Sequence, residues 1–587
     1  MLSIPVSALS AEEKESITDA KISPLSLVGQ DAGLCIQLKD LNSIVASFRK
    51  SGVPDRFGAT EVFKTWINSR DFQNLKRGLK QIETVVGQPL GPLASDLFGR
   101  NVILAAYPQP DREPAGVLIL QAKKRSSLER AVQIWNQVSP KDIRQTIKYR
   151  GTDYVRRTGH KNKKHLYYVV LGDVFAMSDH EAMIQKIIQR AGVQKNSANH
   201  DKLQSLSNSS HYHRAMSQLT GNPSLTAYIN PRPWDREFMK NGKTGSGQET
   251  FLTFWKNCRS IAIGLRLEGG IAAELVADFH KGNLPTAWKR FARRTSGSPD
   301  FLSHVPNSAL IVFAGRYDPE WIAELIRLNS QGGKNTAIRQ FRKHSRAVLM
   351  GLDLVDDLLP KLSENVGMYV VPRVTSDKNV VPFDGLTAIG INLSSPVFLA
   401  RLDKAVTAGG TFLTTLYNLQ LDEHQTAAVL KSEKRNGVVI RWVDRIGHYR
   451  PAVALSKNYI LLASSPEMIE EFLSADKSSR LVSTPGFQKW RRDFFPTANQ
   501  LVLLNVRGLR DHIRSVKPVV VHWLAKSGSV NESTASQRLE RLLDLLAGID
   551  NVFLAIHVGE RQLRVGLGGI VQKRSAGQSE KSSGSLR

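Results

Sequence analysis

Hydrophobic and polar positions fall in short blocks along this chain, and the blocks come back in the same order in its second half. Residues 34–38 and 309–313 are apolar runs rich in β-forming side chains. Each is followed by an aspartate, Asp40 or Asp318, and then by apolar residues at helical spacing. These are Leu41, Ile44, Val45 and Phe48 in the first half, and Trp321, Ile322 and Leu325 in the second. An aspartate there accepts the orphan N–H groups of a first helical turn, and Pro319 lacks such a group already. The pattern predicts a strand running into a capped helix, twice.

The blocks that follow repeat as well. Residues 102–107 with 117–122, and 366–371 with 386–391, read as strand pairs around proline-containing loops. Helices are predicted after Ser126-Ser127 and after Ser394-Ser395, where Pro396 opens the turn. Hairpins turning at Gly172-Asp173 and at Ser456-Lys457-Asn458 lead into helices around Met183 and Met468. Residues 261–279 and 552–570 read as closing hairpins with glycine in the turn.

Short identities run alongside. Asn101-Val102 and Pro108 match Asn365-Val366 and Pro372, residues 182–188 align without gaps on 467–473, and Tyr228 to Arg232 match Leu503 to Arg507. The period is far longer than that of solenoid repeats, so it reads as duplication of a whole domain. The expected fold is α+β: two tandem pseudo-repeats, each a mostly antiparallel sheet with capped helices packed on it. Residues 1–31 are expected as a flexible arm, 32–297 as repeat 1, 298–571 as repeat 2, and 572–587 as a disordered Ser/Gly/Lys-rich basic tail. The alternation in Arg564-Val565-Gly566-Leu567 suggests one sheet face covered and the other wetter.

The segments Ser298-Pro299-Asp300-Phe301-Leu302 and Val305-Pro306-Asn307-Ser308-Ala309-Leu310, followed by Asp318-Pro319, resemble a bacterial domain-of-unknown-function family of long tandem α+β proteins. A short helix, then Pro-x-x-Ala-Leu, then a strand is its recurring signature. The resemblance spans roughly residues 32–570. It implies an envelope setting for many relatives, no established activity, and no functional residue to carry over.

Composition narrows the classes. Of 587 residues 41% are hydrophobic, which excludes a mainly disordered chain. Two cysteines exclude a disulfide scaffold and a cysteine-rich zinc site. No run reaches the apolar length of a spanning helix, since stretches such as 347–359 are broken by Asp353, Asp356 and Asp357. Ala8-Leu9-Ser10 before Glu12-Glu13-Lys14 looks like the cleavage end of an export signal that begins upstream; a polar arm is the competing reading. The compartment is cytoplasmic as the sequence stands and extracytoplasmic if such a signal precedes it.

Charge is the outlier: 80 Lys and Arg against 53 Asp and Glu give a net charge of +27. Thirteen basic and three acidic residues fall between Lys123 and Lys164, and residues 285–294 form a short basic amphipathic helix with Trp288 and Phe291 on its apolar side. The candidate surface for an anionic partner is Lys123, Lys124, Arg125, Arg156, Arg157, Lys161, Lys163, Lys164, Lys289, Arg290, Arg293 and Arg294. Such clusters attract an anionic membrane or polymer at roughly 1 kcal/mol per basic residue near a surface. Nucleic acid would be attracted as well, but no recognition motif accompanies the charge. A plain solvated face accounts for the same residues.

Candidate chemistry is thin. Gly242-Lys243-Thr244 has the end of a phosphate-binding loop, yet Glu237 stands where the pattern needs glycine. His211 and His213 are spaced as ligands on one strand face would be, and His160 and His165 flank a lysine-rich turn, without the cysteines a structural zinc prefers. Asp353, Asp356 and Asp357 would share a solvated helix face. Cys35 and Cys258 read as buried free thiols, a disulfide being open only if their strands adjoin. The expectation is a non-catalytic binding or scaffold protein docking on an anionic surface or polymer, with no cofactor and no metal. A hydrolase-like enzyme with its site between the repeats is the first alternative, and a non-specific nucleic-acid binder the second.

Overall fold

The computed structural model describes residues 22–50, 58, 61–86, 89–110, 112–138, 141–160, 164–193, 204–240, 246–267, 270–280, 284, 286–331, 340, 342–344, 346, 351–391, 396–420, 427–444, 450–474, 478–494 and 496–570. The chain divides into two compact units, Met1–Pro54 with Val62–Gly282 and Asp55–Glu61 with Asn283–Arg587. The fold is α+β, and every strand pairing within each unit is antiparallel.

The first unit has ten described strands: β1 (Leu34–Lys39), β2 (Asn101–Gln109), β3 (Arg112–Gln121), β4 (Ile143–Tyr149), β5 (Thr152–Thr158), β6 (His165–Leu171), β7 (Val174–Ser178), β8 (Leu225–Ile229), β9 (Cys258–Arg266) and β10 (Gly270–Phe279). They pair in the order 4-5-6-7-3-2-1-8-9-10. One face is sealed by a core that includes Cys35, Ile103, Ala105, Val117, Ile119 and Tyr228. Helices Glu181–Val193 and Ser210–Ser217 supply Ile184, Ile187 and Tyr212 to the same core. That core begins earlier than Ala32, because Leu27 and Val28 are wholly buried and the Leu27 carbonyl accepts from Arg190 Nη1 at 3.1 Å.

The second unit has β11 (Ile311–Arg316), β12 (Leu362–Pro372), β13 (Phe383–Ile391), β14 (Val429–Arg435), β15 (Val438–Asp444), β16 (Ala452–Leu455), β17 (Tyr459–Ala463), β18 (Gln500–Asn505), β19 (Asn551–Val558) and β20 (Gln562–Ile570). Their order is 14-15-16-17-13-12-11-18-19-20. An aromatic knot of Phe301, Tyr369, Tyr459 and Phe472 fills the corner beneath β12, with the His304 ring stacked on Phe472 at 4.4 Å. Phe301 lies so close to Gly367 that a Cβ there would meet its ring at 2.0 Å, which leaves room for glycine alone. Arg480 is buried and donates to the carbonyls of His304, Glu471 and Ser474, so that one guanidinium ties three chain segments together.

The burial pattern keeps the expected difference between a covered and a wetter sheet face. Along the middle strands the second face is apolar too. The register sets Leu118, Leu104, Ile36, Ala227 and Ile263 in one row of the first unit, and Thr387, Met368, Phe313, Val502 and Leu554 in one row of the second. These residues are mostly half-buried, and Leu104 is 48% exposed. The predicted cap also moves: the helix after β3 starts at Arg125, so Ser126 and Ser127 lie inside its first turn, and Ser127 donates to Asp96 at 2.8 Å. Residues 394 and 395 lie outside the described residues, as do 572–587.

Candidate functional site

The basic stretch from Lys123 to Lys164 folds into a helix, Arg125–Val138, and the hairpin β4–β5. The hairpin turns at Arg150 and Gly151, both at positive φ (49° and 80°), the twist that a two-residue antiparallel connection demands. Strand β4 pairs with β5 alone, so among the described residues its outer side is an open edge, and Arg144 and Lys148 are exposed on one of its faces. Charge on an open edge also hinders pairing with a foreign strand.

Arg157, on the neighbouring strand β5, does something else. It is 3% exposed, its Nε donates to Asp142 Oδ2 at 2.8 Å, and its guanidinium lies 4.2 Å from the Trp135 ring centre. That hydrogen bond, with the His160 N–H, holds the Asp142 carboxyl below its ordinary range. Burial of an arginine needs both the paired carboxylate and the ring face. Arg157 is therefore a packing residue and is removed from the anion-facing set.

The other expected residues separate in the same way. Lys123 is exposed. Lys124 Nζ stands 3.6 Å from Asp96, and Arg125 pairs with Glu129 at 2.8 Å on its own helix. Arg156 is half-buried and bonded to Gln145 across the hairpin, and Lys164 is exposed. Lys161 and Lys163 lie outside the described residues. Arg144 and Lys148 were not singled out by sequence. The signal that marks them is the alternation Arg144, Thr146, Lys148 on an edge strand, which the charge count alone hides.

The second basic cluster is spent internally. Helix Thr286–Arg294 belongs to the second unit, where Asp318 is wholly buried and accepts Arg290 Nε at 3.0 Å on Oδ2 and Arg294 Nη1 at 3.0 Å on Oδ1. Arg290 reaches Glu324 as well, at 2.9 Å, and Arg294 reaches Glu320 at 3.4 Å. Asp318 also accepts the Glu320 N–H, the capping role that the sequence predicts. Lys289 is half-buried, and Arg293 is exposed. Two of the four basic residues on this helix are thus neutralised by carboxylates.

The remaining candidates place as follows. Residues 242–244 lie outside the described residues. His211 and His213 sit on helix Ser210–Ser217, not on a strand, so a spacing of two turns them to different sides, and His213 Nε2 contacts the Ser207 carbonyl. His165 Nδ1 meets Thr158 Oγ1 at 3.0 Å, while His160 is exposed. Asp353 is buried instead of solvated: it caps the turn Leu354–Leu358 and binds Arg342 Nη2 at 2.9 Å and Arg346. Among the described residues no group of three or more His, Cys, Asp or Glu is placed to hold a metal. Cys35 and Cys258 are free and buried, and burial pushes both thiols up to about 12. Strand β8 separates their strands, and Cys35 shares a row with Tyr228 and Ala262, well short of Cys258. No described helix is long and apolar enough to cross a membrane.

Residues 96–418 match the family described as "Protein of unknown function (DUF3352)". The chain belongs to this family. The DUF3352 match contains the Ser298–Leu310 and Asp318-Pro319 segments that carried the resemblance, and it includes both basic clusters, Lys123–Lys164 and Thr286–Arg294. No curated protein matches the chain. Crystal forms I, IV and III of TP0453 are similar at 10%, 12% and 10% identity, with TM-scores of 0.24, 0.24 and 0.25. They cover 45%, 44% and 45% of this chain and 81%, 81% and 83% of TP0453. Scores that low carry no fold argument. As a DUF3352 member the chain inherits no assigned site, and the site rests on its own geometry.

Proposed function

We propose that this protein is a non-catalytic binding or scaffold protein, built from two copies of one ten-stranded module, and that it docks on an anionic surface or polymer through the β4–β5 hairpin. The duplication is supported by strand order: subtracting ten from each strand number of the second unit reproduces the order of the first. Register supports it as well. Cys35 stands between Ala105 and Tyr228, and Val312 stands between Tyr369 and Leu503. Asn101 lies opposite Lys39, as Asn365 lies opposite Arg316.

The observation that carries the docking reading is the contrast between the two edge hairpins. Strand β14 turns into β15 at Asn436 and Gly437, with φ of 50° and 78°, as β4 turns at Arg150 and Gly151. In β14 two of the three basic side chains are held by carboxylates, Lys431 by Asp444 at 2.6 Å and Arg435 by Glu433 and Glu470, while Lys434 is exposed. In β4, Arg144 and Lys148 are exposed without an ion pair among the described residues. A pair of basic groups already held by carboxylates gains little from a second anion, whereas unpaired ones release counterions on binding. The test is binding of the full chain to phosphatidylglycerol-containing vesicles and to a sulfated polysaccharide, against neutral vesicles and a neutral polysaccharide. Retention on the anionic members alone is expected; equal retention on both sets overturns the reading.

A further inference from the structure

The outer side of strand β4 presents a defined set of groups. Its hairpin closes on the Tyr149–Thr152 pair around Arg150 and Gly151. In a two-residue hairpin the closing pair exchanges backbone hydrogen bonds, and such pairs alternate along the ladder. Tyr149, Ile147, Gln145 and Ile143 therefore spend their N–H and C=O groups on β5. Those of Arg144, Thr146 and Lys148 point away from β5, and among the described residues no hydrogen bond reaches them. All three residues are exposed. Their side chains share one face of the strand, as positions two apart do.

Two of the three are basic, and that decides what can pair there. A second copy of β4 laid antiparallel about Thr146 would set Arg144 against Lys148 twice, and like charges directly opposite destabilise a strand pair. Asp153, opposite Lys148 on β5, is exposed and holds no base in an ion pair among the described residues. A lipid headgroup or a sulfated sugar meets the side chains and leaves the backbone groups of the edge to water. An extended peptide with carboxylates four residues apart meets both. Its backbone continues the ladder, and its acidic side chains stand opposite Arg144 and Lys148. The charge that turns away other strands thus selects this one. The open edge of β14 lacks the match. The same alternation, counted from the Arg435–Val438 pair, turns out Leu430, Ser432 and Lys434, a single base, with Leu430 half-buried.

We propose that β4 takes an acidic, extended polypeptide segment as an added antiparallel strand, with two of its carboxylates, four residues apart, on Arg144 and Lys148. This rests on the docking reading above, since the same hairpin is the docking element, and it names the partner as a polypeptide.

Fluorescence anisotropy of the full chain with the capped, labelled peptide Thr-Glu-Val-Thr-Val-Glu-Thr tests it. Two N-methylated forms keep the charge of this peptide. One is methylated at the central Thr and the second Glu, whose N–H groups would face β4; the other at both Val residues, whose N–H groups would face away. The expected result is that the parent and the Val-methylated form bind alike, while the Thr/Glu-methylated form binds about tenfold more weakly. The variant Thr146→Pro removes the central outward N–H of β4, a change that an edge strand tolerates. It should weaken the parent peptide similarly and leave retention on phosphatidylglycerol vesicles unchanged. Methylated forms that bind equally overturn strand addition and leave docking by charge standing. Vesicle retention without peptide binding does the same. Peptide binding and vesicle retention that both survive unchanged in the double variant Arg144→Ser, Lys148→Ser overturn the docking reading itself, and absence of both in the wild type overturns the two together.

Discussion

Arg290 and Asp318 are joined at 3.0 Å, Nε to Oδ2, with the carboxylate wholly buried and the guanidinium a third exposed. The arginine thus closes a polar gap at the start of helix Pro319–Gln331 and is no longer available to an outside anion. The Asp318→Asn substitution keeps the shape and the cap but leaves two guanidinium groups without their shared charge. Removing one partner of a buried pair is costly; with both arginines part-solvated, a loss of about 2 kcal/mol is expected in urea unfolding.

Arg157 makes a sharper contrast. Its substitution by Ala removes a pair with Asp142 and a ring contact with Trp135 at once. Unfolding free energy should fall by about 2–3 kcal/mol, while affinity for an anionic vesicle per folded molecule stays at the wild-type level. A weakened affinity with unchanged stability would return Arg157 to the surface.

Asp353 sets an acid limit. Burial opposes its charge, but the Arg342 hydrogen bond and the N–H groups of Asp356 and Val355 outweigh that and lower the carboxyl to about 2. A group lowered on folding stabilises fully above its unfolded value and loses that contribution as pH falls. Stability should therefore drop between about pH 4 and pH 2, by about 2 kcal/mol for this group, and the Asp353→Asn variant should show a flatter acid limb in denaturant titrations.

The two thiols should be silent. With Cys35 and Cys258 buried and their thiols pushed up to about 12, neither reacts with a thiol reagent at pH 8 in the native protein. Both react after denaturation without a reductant, since neither is in a disulfide. Fewer than two reactive groups in denaturant would contradict the free-thiol assignment.

Much of the architecture is legible in the residues. The strand after Gly33, the helix that Asp318 caps, and the hairpins around Gly172 and after Gly559 follow from period-two runs, capping chemistry and turn glycines. The hairpin β4–β5 was hidden because β4, Ile143–Tyr149, is an exposed edge strand whose polar edge blurs the alternation that reveals a half-buried one, while β5, Thr152–Thr158, buries only Tyr154 and Arg157. The candidate surface was half legible. A count of Lys and Arg finds clusters but not partners: Arg290 and Arg294 stand close in sequence to Asp318, yet only the fold brings all three together, and Arg157 meets Asp142 only across a hairpin. Burial of Asp353 was equally out of reach, because its partners Arg342 and Arg346 come from a preceding segment.

The most direct test of the account is a salt titration of affinity for phosphatidylglycerol vesicles, comparing the wild type with the double variant Arg144→Ser, Lys148→Ser. Losing two headgroup contacts should make the logarithm of affinity fall less steeply with the logarithm of salt, by about two units of slope at most, and weaken binding chiefly at low salt. An identical slope and affinity in the two proteins would contradict docking through the β4–β5 hairpin.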